Sequence, residues 1–342
     1  MGNEDLKNSP ENKEILRVEG LCKHYDLHRS IYSRFSDWRE KKNPPVVRAL
    51  NKVSFSVFSR ETLGILGESG SGKSTLARVL MGLLSPDAGS ASLLGSDLFD
   101  FSRINRLKNL KRMQMVFQDP FSSLDPRQSI ASVLKEPLKI HGIHPSEGYE
   151  KKLREALSEV GLEPDILTRY PAEFSGGQRQ RICVSRALLL DPEILIADEA
   201  VSALDVSVQA QILELFVRLK EARGLTLIFI SHDVAVIRQL SDRILVFYRG
   251  NLVETMSSEC LLTDVAHPYT KKLLNAALFL REGSPILPEK SNVLKNSPLL
   301  VNDGCPFFSR CDCSDELCKS PPSFSELHPG HSVACWRSVN SK

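Results

Sequence analysis

Short apolar runs and longer amphipathic segments follow one another along most of this chain. The runs with strand character are rich in β-branched residues and cover residues 15–18, 53–57, 63–66, 114–117, 194–197, 226–230 and 244–247. A helical pattern covers residues 206–220 between two of them. Strands that alternate with helices predict an α/β core built on a largely parallel sheet.

One stretch, residues 119–190, departs from this alternation. Apolar residues there recur at helical spacing, as in Leu153, Ala156, Leu157 and Val160. We therefore expect a helical subdomain inserted into the core. Outside the core, residues 1–14 are polar and predict a flexible tail. Residues 257–342 are expected to form a C-terminal extension, in which the Pro/Ser/Asn-containing segment 281–302 predicts a linker.

The composition fits a folded protein of two units. The chain has 342 residues, more than one domain usually contains, and its 42% apolar and 25% charged residues match ordinary globular proteins. A formal net charge of +2 gives no global basic field for nucleic acid. No run of about 20 apolar residues and no secretory signal is present, so we expect the chain to stay in the cytosol.

A glycine-rich loop follows the third apolar run. It matches the pattern G-x-x-x-x-G-K-[ST] and leads into a helical run. In such loops backbone N–H groups converge on phosphate oxygens, Lys73 adds a mobile charge, and the Ser74 hydroxyl can bind Mg²⁺. The residues predicted to bind a nucleotide are Gly67, Glu68, Ser69, Gly70, Ser71, Gly72, Lys73, Ser74 and Thr75. The loop alone fits kinases, GTPases and ATPases alike.

Two acidic residues follow the apolar run 194–197. Asp198 and Glu199 would lie at the carboxyl end of a buried strand, where open α/β sheets bind ligands. We expect Asp198 to hold Mg²⁺ through water and Glu199 to act as general base on the attacking water. Because GTPases and kinases seldom carry the adjacent glutamate, the pair favours hydrolysis over phosphorylation of a substrate.

A second phosphate-binding loop precedes a helical run near the end of the insert. Residues 174–181 read FSGGQRQR, and small residues before a helix leave N–H groups that can bind an anion. These residues resemble the L-S-G-G-Q signature of ABC ATPases, with Phe174 as a mild departure. The resemblance implies that residues 15–256 form an ABC ATPase domain with a P-loop NTPase fold, which binds ATP and Mg²⁺ and hydrolyses ATP.

The same resemblance implies roles for further residues. Those expected to contact nucleotide or its phosphates are Tyr25, stacked on adenine, the signature residues Ser175, Gly176, Gly177 and Gln178, and His232, near the γ-phosphate. Gln118 would sense Mg²⁺ and the attacking water, and the loop ending at Asp205 would cross to a partner subunit. From the residues alone, Tyr25 could equally be a core or surface aromatic, and Gln118 an ordinary polar residue after a strand.

Three features narrow the resemblance to one group within the ABC ATPases. The segment VFQDPFSSLDPR at 116–127, the segment AHPYTKKLL at 266–274 and a terminal Cys-rich module resemble the ATPase subunits of oligopeptide, dipeptide and nickel importers. The run DEAVSALD at 198–205 and an insert before residue 53 are closer to the second ATPase of their pair.

This resemblance implies partners and a location. The partners are a second ABC ATPase, identical or different, two multispanning permeases contacted around residues 121–126, and indirectly an extracytoplasmic solute-binding protein. The location is the cytoplasmic face of the inner membrane, as a peripheral subunit. We interpret the basic segment 29–45 as a solvated loop, with contact to acidic lipids as the alternative.

Two other classes of protein share some of these motifs. Soluble ABC proteins that act on DNA or ribosomes usually carry two cassettes, long coiled coils or zinc inserts, whereas this chain has one cassette and no heptad run. A P-loop kinase does not explain the second glycine-rich loop. We therefore expect a transport ATPase with no nucleic-acid partner. The resemblance implies a subunit that does not contact the transported solute, so the sequence does not identify that solute.

Five of the eight cysteines fall between residues 305 and 335. In a reducing cytosol, clustered cysteines more often bind metal than form disulfides. The pattern resembles a module of peptide-importer ATPases in which four cysteines hold a [4Fe–4S] cluster, and it selects Cys305, Cys311, Cys318 and Cys335, with Cys313 as the extra. Zn²⁺ and an unliganded packed module are the alternatives. We expect the module to serve structure rather than catalysis.

Overall fold

The computed structural model describes residues 13–26, 46–282 and 304–339. The predicted tail lies outside these residues apart from its last two, and the predicted linker lies almost entirely outside them, as does all of the basic segment 29–45. Two sheets carry the described part of the chain. One is an eight-stranded sheet that holds the site, and the other is a four-stranded antiparallel sheet.

The large sheet has the strand order β11-β12-β10-β9-β3-β8-β7-β6. Its central strands β9, β3, β8, β7 and β6 are parallel, and β10, β12 and β11 join β9 as antiparallel neighbours. The bounds are β3 Thr62–Leu66, β6 Met113–Val116, β7 Ile194–Asp198, β8 Thr226–Ser231, β9 Arg243–Tyr248, β10 Asn251–Ser257, β11 Ser325–His328 and β12 His331–Val333. Strands β3, β7 and β8 are buried along their whole length, which explains their continuous apolar runs.

The smaller sheet has the order β2-β1-β4-β5, with β1 Glu14–Asp26, β2 Val46–Phe58, β4 Ala88–Leu93 and β5 Ser96–Asp97. Its inner face packs Leu16, Leu21, Leu50 and Val57 into an apolar cluster that also contains Ile65 of β3. This sheet therefore covers one face of the region around the phosphate loop.

Helices occupy the chain between β6 and β7, together with two short 3₁₀ turns. They are α3 Pro120–Ser123, α4 Ile130–Ile140, α5 Tyr149–Glu159 and α6 Gly176–Leu188. Side-chain caps fix where the first two of them begin: Asp119 accepts hydrogen bonds from the amides of Phe121 and Ser122, and Ser129 accepts one from the amide of Ser132. Buried leucines and isoleucines of these helices share one apolar cluster with strands β7 and β8.

The remaining helices are α1 Lys73–Leu80, α2 Arg103–Arg112, α7 Val206–Arg223, α8 Val234–Leu240, α9 Pro268–Glu282 and α10 Trp336–Val339. The C-terminal extension does not stand apart from the core, because β12 pairs with β10 and so extends the large sheet. Among the described residues, no helix is long and apolar enough to cross a membrane.

Candidate functional site

The predicted site residues follow the carboxyl ends of neighbouring parallel strands. The phosphate loop follows β3, Gln118 lies two residues after β6, Asp198 ends β7 and His232 follows β8. Because parallel strands present their carboxyl ends at one edge of the sheet, the fold places these side chains at the same edge.

The phosphate loop is shaped by glycines that no larger residue can replace freely. Gly72 has φ 109°, and a Cβ built on it would lie 2.2 Å from the carbonyl oxygen of Ala49. A Cβ on Gly67 would lie 2.4 Å from the carbonyl oxygen of Phe247. Since Ala49 and Phe247 belong to β2 and β9, both sheets press on the loop. The glycines are required for this close approach.

Lys73 opens α1 with its side chain almost fully buried. Its ammonium donates to the carbonyl oxygens of Gly67 and Glu68, at 2.7 and 2.9 Å, and lies 3.9 Å from a carboxylate oxygen of Glu199. Burial lowers the pKa of Lys73, and the nearby carboxylates partly oppose that shift. The ammonium is thus held beside the loop, within reach of a phosphate that the loop could bind.

Ser74 and Asp198 meet at the base of the loop. The Ser74 hydroxyl donates to Asp198 Oδ1 at 2.9 Å. Burial raises the pKa of Asp198 and the Glu199 carboxylate adds to this shift, while the Ser74 hydrogen bond and the charges of Arg78 and Lys73 oppose it only in part. A hydroxyl beside a buried carboxylate is the oxygen-donor chemistry that Mg²⁺ prefers, and a cation there would compensate the buried charge. These residues therefore fit the predicted Mg²⁺ site.

Glu199 is the point on which the other polar side chains converge. Its Oε2 accepts a hydrogen bond from Gln118 Nε2 at 3.1 Å and lies 3.6 Å from His232 Nδ1. The backbone of Glu199 is in the left-handed region, with φ 48°. Such a conformation costs strain energy in a non-glycine residue, and Glu199 is the one site residue among the six non-glycine residues that adopt it in the described part of the chain.

The signature loop lies at the amino end of α6. The Ser175 hydroxyl accepts from the amide of Gln178 at 3.3 Å, and the Gln178 side chain accepts from the amide of Ser175 at 3.0 Å. A Cβ on Gly177 would lie 2.4 Å from a methyl group of Val208, so α6 approaches α7 closely there.

Other predicted residues lie on the surface. Asp205 precedes α7 and is exposed, as is Ser202. Tyr25 lies near the end of β1 with its ring 37% exposed. Phe121 in the expected permease contact is 63% exposed, and the guanidinium of Arg179 in α6 lies 3.9 Å from its ring centroid. An exposed aromatic is thereby connected to the helix that begins at the signature loop.

Two residues that the sequence did not single out hold the phosphate loop. The amide of Glu68 donates to the Tyr269 hydroxyl at 2.9 Å, and the Glu68 carboxylate receives two hydrogen bonds from the Arg310 guanidinium, both of 2.9 Å. Tyr269 belongs to α9, and Arg310 lies between Cys305 and Cys311. The C-terminal extension therefore touches the predicted nucleotide site.

The four selected cysteines and Cys313 line one small cavity, together with His267, Phe307 and Trp336. All eight cysteines of the chain are free. Burial raises the pKa of Cys305 to about 11, and the neighbouring cysteines add to this shift. Gathered thiolates repel one another, so such a group is favoured as protonated thiols or around a cation. Among the described residues, however, the side chains placed so that together they could hold an ion are Asp264, His328 and His331 and not the cysteines.

Comparison with known proteins gives the family. A model described as ABC transporter matches residues 50–202, and one described as oligopeptide/dipeptide transporter, C-terminal region, matches residues 253–318. The oligopeptide transport ATP-binding protein AppF of Bacillus subtilis is 45% identical over 94% of this chain and 96% of its own length. OppF of Haemophilus influenzae, an oligopeptide transport ATP-binding protein, is 44% identical over 85% of this chain and 89% of its own.

Solved structures show the same fold. The ATP-binding cassette MJ0796, solved as a dimer in a post-hydrolysis state with ADP and Pi, superposes with a TM-score of 0.61 at 26% identity, covering 71% of this chain and 99% of that one. CbiO1 of Clostridium perfringens has the same TM-score at 24% identity. The chain therefore belongs to the ABC transporter ATP-binding family, in the branch of oligopeptide transport ATP-binding proteins.

Proposed function

We propose that this chain is the ATP-hydrolysing subunit that powers an importer of oligopeptides, dipeptides or a related small solute. The observation that carries the proposal is that six polar and charged side chains meet at one edge of the large sheet. They are Lys73, Ser74, Gln118, Asp198, Glu199 and His232. The chain is also related over most of its length to oligopeptide transport ATP-binding proteins. Among the relatives named above, none is a protein that acts on DNA or ribosomes.

Each residue would act on a different part of ATP. The loop amides and Lys73 would bind the phosphates, and Ser74 with Asp198 would hold Mg²⁺, which supplies charge neutralisation for the transferring phosphoryl group. Glu199 would accept a proton from the attacking water. Its contacts with Gln118 and His232, at 3.1 and 3.6 Å, support this role because they orient the carboxylate. Tyr25 would stack on adenine.

The site would be completed by a second ATPase subunit. The signature loop at Ser175–Gln178 would bind the nucleotide held by the phosphate loop of the partner, and the exposed Asp205 would lie at the same interface. A dimeric solved relative supports this arrangement. Whether the partner is a second copy or a different ATPase is decided by native mass spectrometry of the co-expressed complex: an assembly containing only this ATPase and permeases would exclude obligate pairing with another.

The exposed Phe121 would contact a permease, in keeping with its large exposed ring on α3. Two permeases, and through them a solute-binding protein, would complete the importer, with this subunit on the cytoplasmic face of the membrane. The clustered cysteines would hold a [4Fe–4S] cluster, with Zn²⁺ as the alternative, and so stabilise a segment too small to fold alone.

Co-purification from detergent-solubilised membranes tests the proposal. The tagged chain is expected to retain a multispanning permease, and the purified complex to hydrolyse ATP. Lys73→Ala should abolish hydrolysis, because it removes the charge held beside the phosphate loop, while leaving the complex assembled. Retention of DNA or ribosomes in place of a permease would contradict the proposal.

A further inference from the structure

We propose that Arg310 and Tyr269 are positioning residues of the phosphate loop, through which the C-terminal extension sets the affinity for ATP. The proposal rests on the proposed function only in taking the loop as the ATP site. Both residues lie outside the sequence pattern of the phosphate loop.

Glu68, the second residue of the loop, is held at both its backbone and its side chain. Its amide donates to the Tyr269 hydroxyl at 2.9 Å. Its carboxylate accepts two parallel hydrogen bonds of 2.9 Å from the Arg310 guanidinium. A bidentate pair of this kind fixes orientation as well as distance. The Glu68 carbonyl in turn accepts from Lys73, so the fixed residue also orients the ammonium.

An aromatic cluster backs these contacts. Tyr248 of β9, Tyr269 of α9 and Phe307 are all fully buried, and their ring centroids lie 4.5 to 5.5 Å apart. The Arg310 guanidinium lies 5.7 Å from the rings of Tyr248 and Phe307. Packing against the rings of Tyr248 and Phe307 leaves the Tyr269 ring and the Arg310 guanidinium few alternative positions.

The position of Arg310 depends on the cysteine-lined segment. Arg310 directly precedes Cys311, and its carbonyl oxygen accepts a hydrogen bond from Lys272 at 2.8 Å. Lys272 also lies 2.8 Å from a carboxylate oxygen of Asp312. The segment 305–312 is thus tied to α9 on both sides of Cys311, so its folding places the guanidinium against the loop.

This arrangement predicts an effect on binding rather than on chemistry. Loop amides that are already oriented cost less entropy when ATP binds, so release of Glu68 should weaken ATP binding. Glu199, Gln118 and His232 make none of these contacts, so kcat should change less than the Kd for ATP. The side chains of Glu68 and Arg310 are nearly half exposed, so solvent screening limits what their ion pair contributes to the affinity for ATP.

Fluorescence titration of the full chain with a labelled ATP analogue tests the proposal, because it measures Kd without requiring turnover. We expect Arg310→Ala to raise Kd about three- to tenfold and Arg310→Lys to have an intermediate effect, since lysine keeps the charge but not the bidentate geometry. Arg337→Ala is the matched control, because Arg337 belongs to the same C-terminal extension and forms an ion pair with Asp315.

A double-mutant cycle with Glu68→Gln makes the test specific. The double variant should bind ATP no more weakly than the poorer single variant, because both substitutions remove the same contact. Additive effects, an unchanged Kd for Arg310→Ala, or an equal loss for Arg337→Ala would overturn the proposal. If the variants change the Kd for ATP as expected but neither they nor the wild type hydrolyse ATP, the proposed function fails while this inference stands.

A different cluster carries a second inference. One potential metal-binding atom from each of Asp264, His328 and His331 lies within 4.8 Å of the other two. His328 Nε2 lies 2.6 Å from Asp264 Oδ2 and 3.2 Å from His331 Nδ1. Asp264 precedes α9, whereas both histidines belong to the β11–β12 hairpin. We infer that these residues form a site for a divalent metal ion of the zinc class.

The buried carboxylate of Glu254 supports this assignment. It lies 2.8 Å from His331 Nε2 and accepts hydrogen bonds from the amides of Ala266 and His267. If the Nε2 proton of His331 is shared with Glu254, a metal ion at Nδ1 would take the place of the second imidazole proton and face the other two ligand atoms. This is the arrangement in which a carboxylate orients a metal-binding histidine. The ion would tie the hairpin to the ATPase core.

Cobalt loading of the full chain tests the site. His328→Ala should bind about one cobalt ion fewer per chain than the wild type, while thiolate-bound cobalt stays unchanged in the absorption spectrum. The exposed His144 supplies the matched control, His144→Ala, which should not alter the count. Asp264→Asn should resemble His328→Ala. Equal cobalt content in all four proteins would show that the cluster is held by protons alone and would overturn the inference.

Discussion

At the level of single residues, Glu199 is the best connected group of the site. It lies within 4 Å of Lys73 and His232 and accepts a hydrogen bond from Gln118. A carboxylate held from three directions is suited to take a proton from one water molecule in one orientation. Two predictions concern this group and its neighbour.

Glu199→Gln should leave ATP bound but unhydrolysed, because only the activation of water is lost. We expect phosphate release from the assembled complex to fall at least about a hundredfold, with nucleotide retained after gel filtration. Glu193→Gln is the matched control, since Glu193 directly precedes the same strand and pairs with Arg112 on the surface. Near-normal turnover of Glu199→Gln would show that another group acts as base.

His232→Ala should reduce turnover by orders of magnitude with only a modest change in ATP affinity, since the side chain would act on the transferring phosphoryl group. The measurement compares kcat with the Kd for ATP. His144→Ala controls for the loss of a surface histidine. A loss of binding as large as the loss of turnover would remove His232 from the chemistry.

At the level of elements, the buried parallel strands could be predicted from the sequence and the short strands of the β11–β12 hairpin could not. β7 and β8 are buried from end to end and consist of apolar runs, so their pattern is unambiguous. β11 and β12 are short and polar, with the sequences SELH and HSV, and they form only because β12 pairs with β10. Such pairing is a tertiary effect that no local pattern records.

The phosphate loop illustrates the same division. Its glycine pattern predicts a phosphate-binding site, but the contact of Glu68 with Arg310 joins residues 242 positions apart in the sequence. Likewise, the AHPYTKKLL segment resembled a family feature without a known purpose, and in the structure its tyrosine hydroxyl accepts a hydrogen bond from the loop. The sequence predicts the chemistry of the loop but not these residues from outside the loop that contact it.

Substitution of two loop glycines tests the packing of this element. Gly72→Ala should lower the free energy of unfolding by more than about 3 kcal/mol, because the new Cβ would overlap a backbone oxygen of β2 at a positive φ. Gly70→Ala has a positive φ but open space around the Cβ, so about 1 kcal/mol is expected. Urea denaturation without nucleotide makes the comparison, and equal losses would contradict the close approach of β2.

At the level of the whole molecule, the C-terminal extension is joined to the ATPase core by strand pairing, an aromatic cluster and the contacts of Glu68. The cysteine-rich part contacts the predicted nucleotide site through Arg310, and that contact is compatible with the expected role in structure rather than catalysis. A ligand held by the cysteines would therefore also affect the position of Arg310 beside the phosphate loop.

Anaerobic purification tests the proposed cluster. We expect a brown protein that absorbs near about 400 nm and contains roughly four irons per chain. Cys311→Ser should bleach it, whereas Cys313→Ser should not, because Cys313 is the exposed extra cysteine. A colourless protein with stoichiometric zinc would assign the cysteines to zinc, and one with no metal would leave a packed module without a ligand.

Transport by the reconstituted complex is the most direct test of the function. The chain, co-purified with its permeases and any second ATPase, is placed in proteoliposomes together with the solute-binding protein, and uptake of a labelled oligopeptide is measured. We predict uptake that requires ATP and is lost in Glu199→Gln, with the complex intact. Uptake that continues equally without ATP, or in Glu199→Gln, would contradict a role for this chain as the motor.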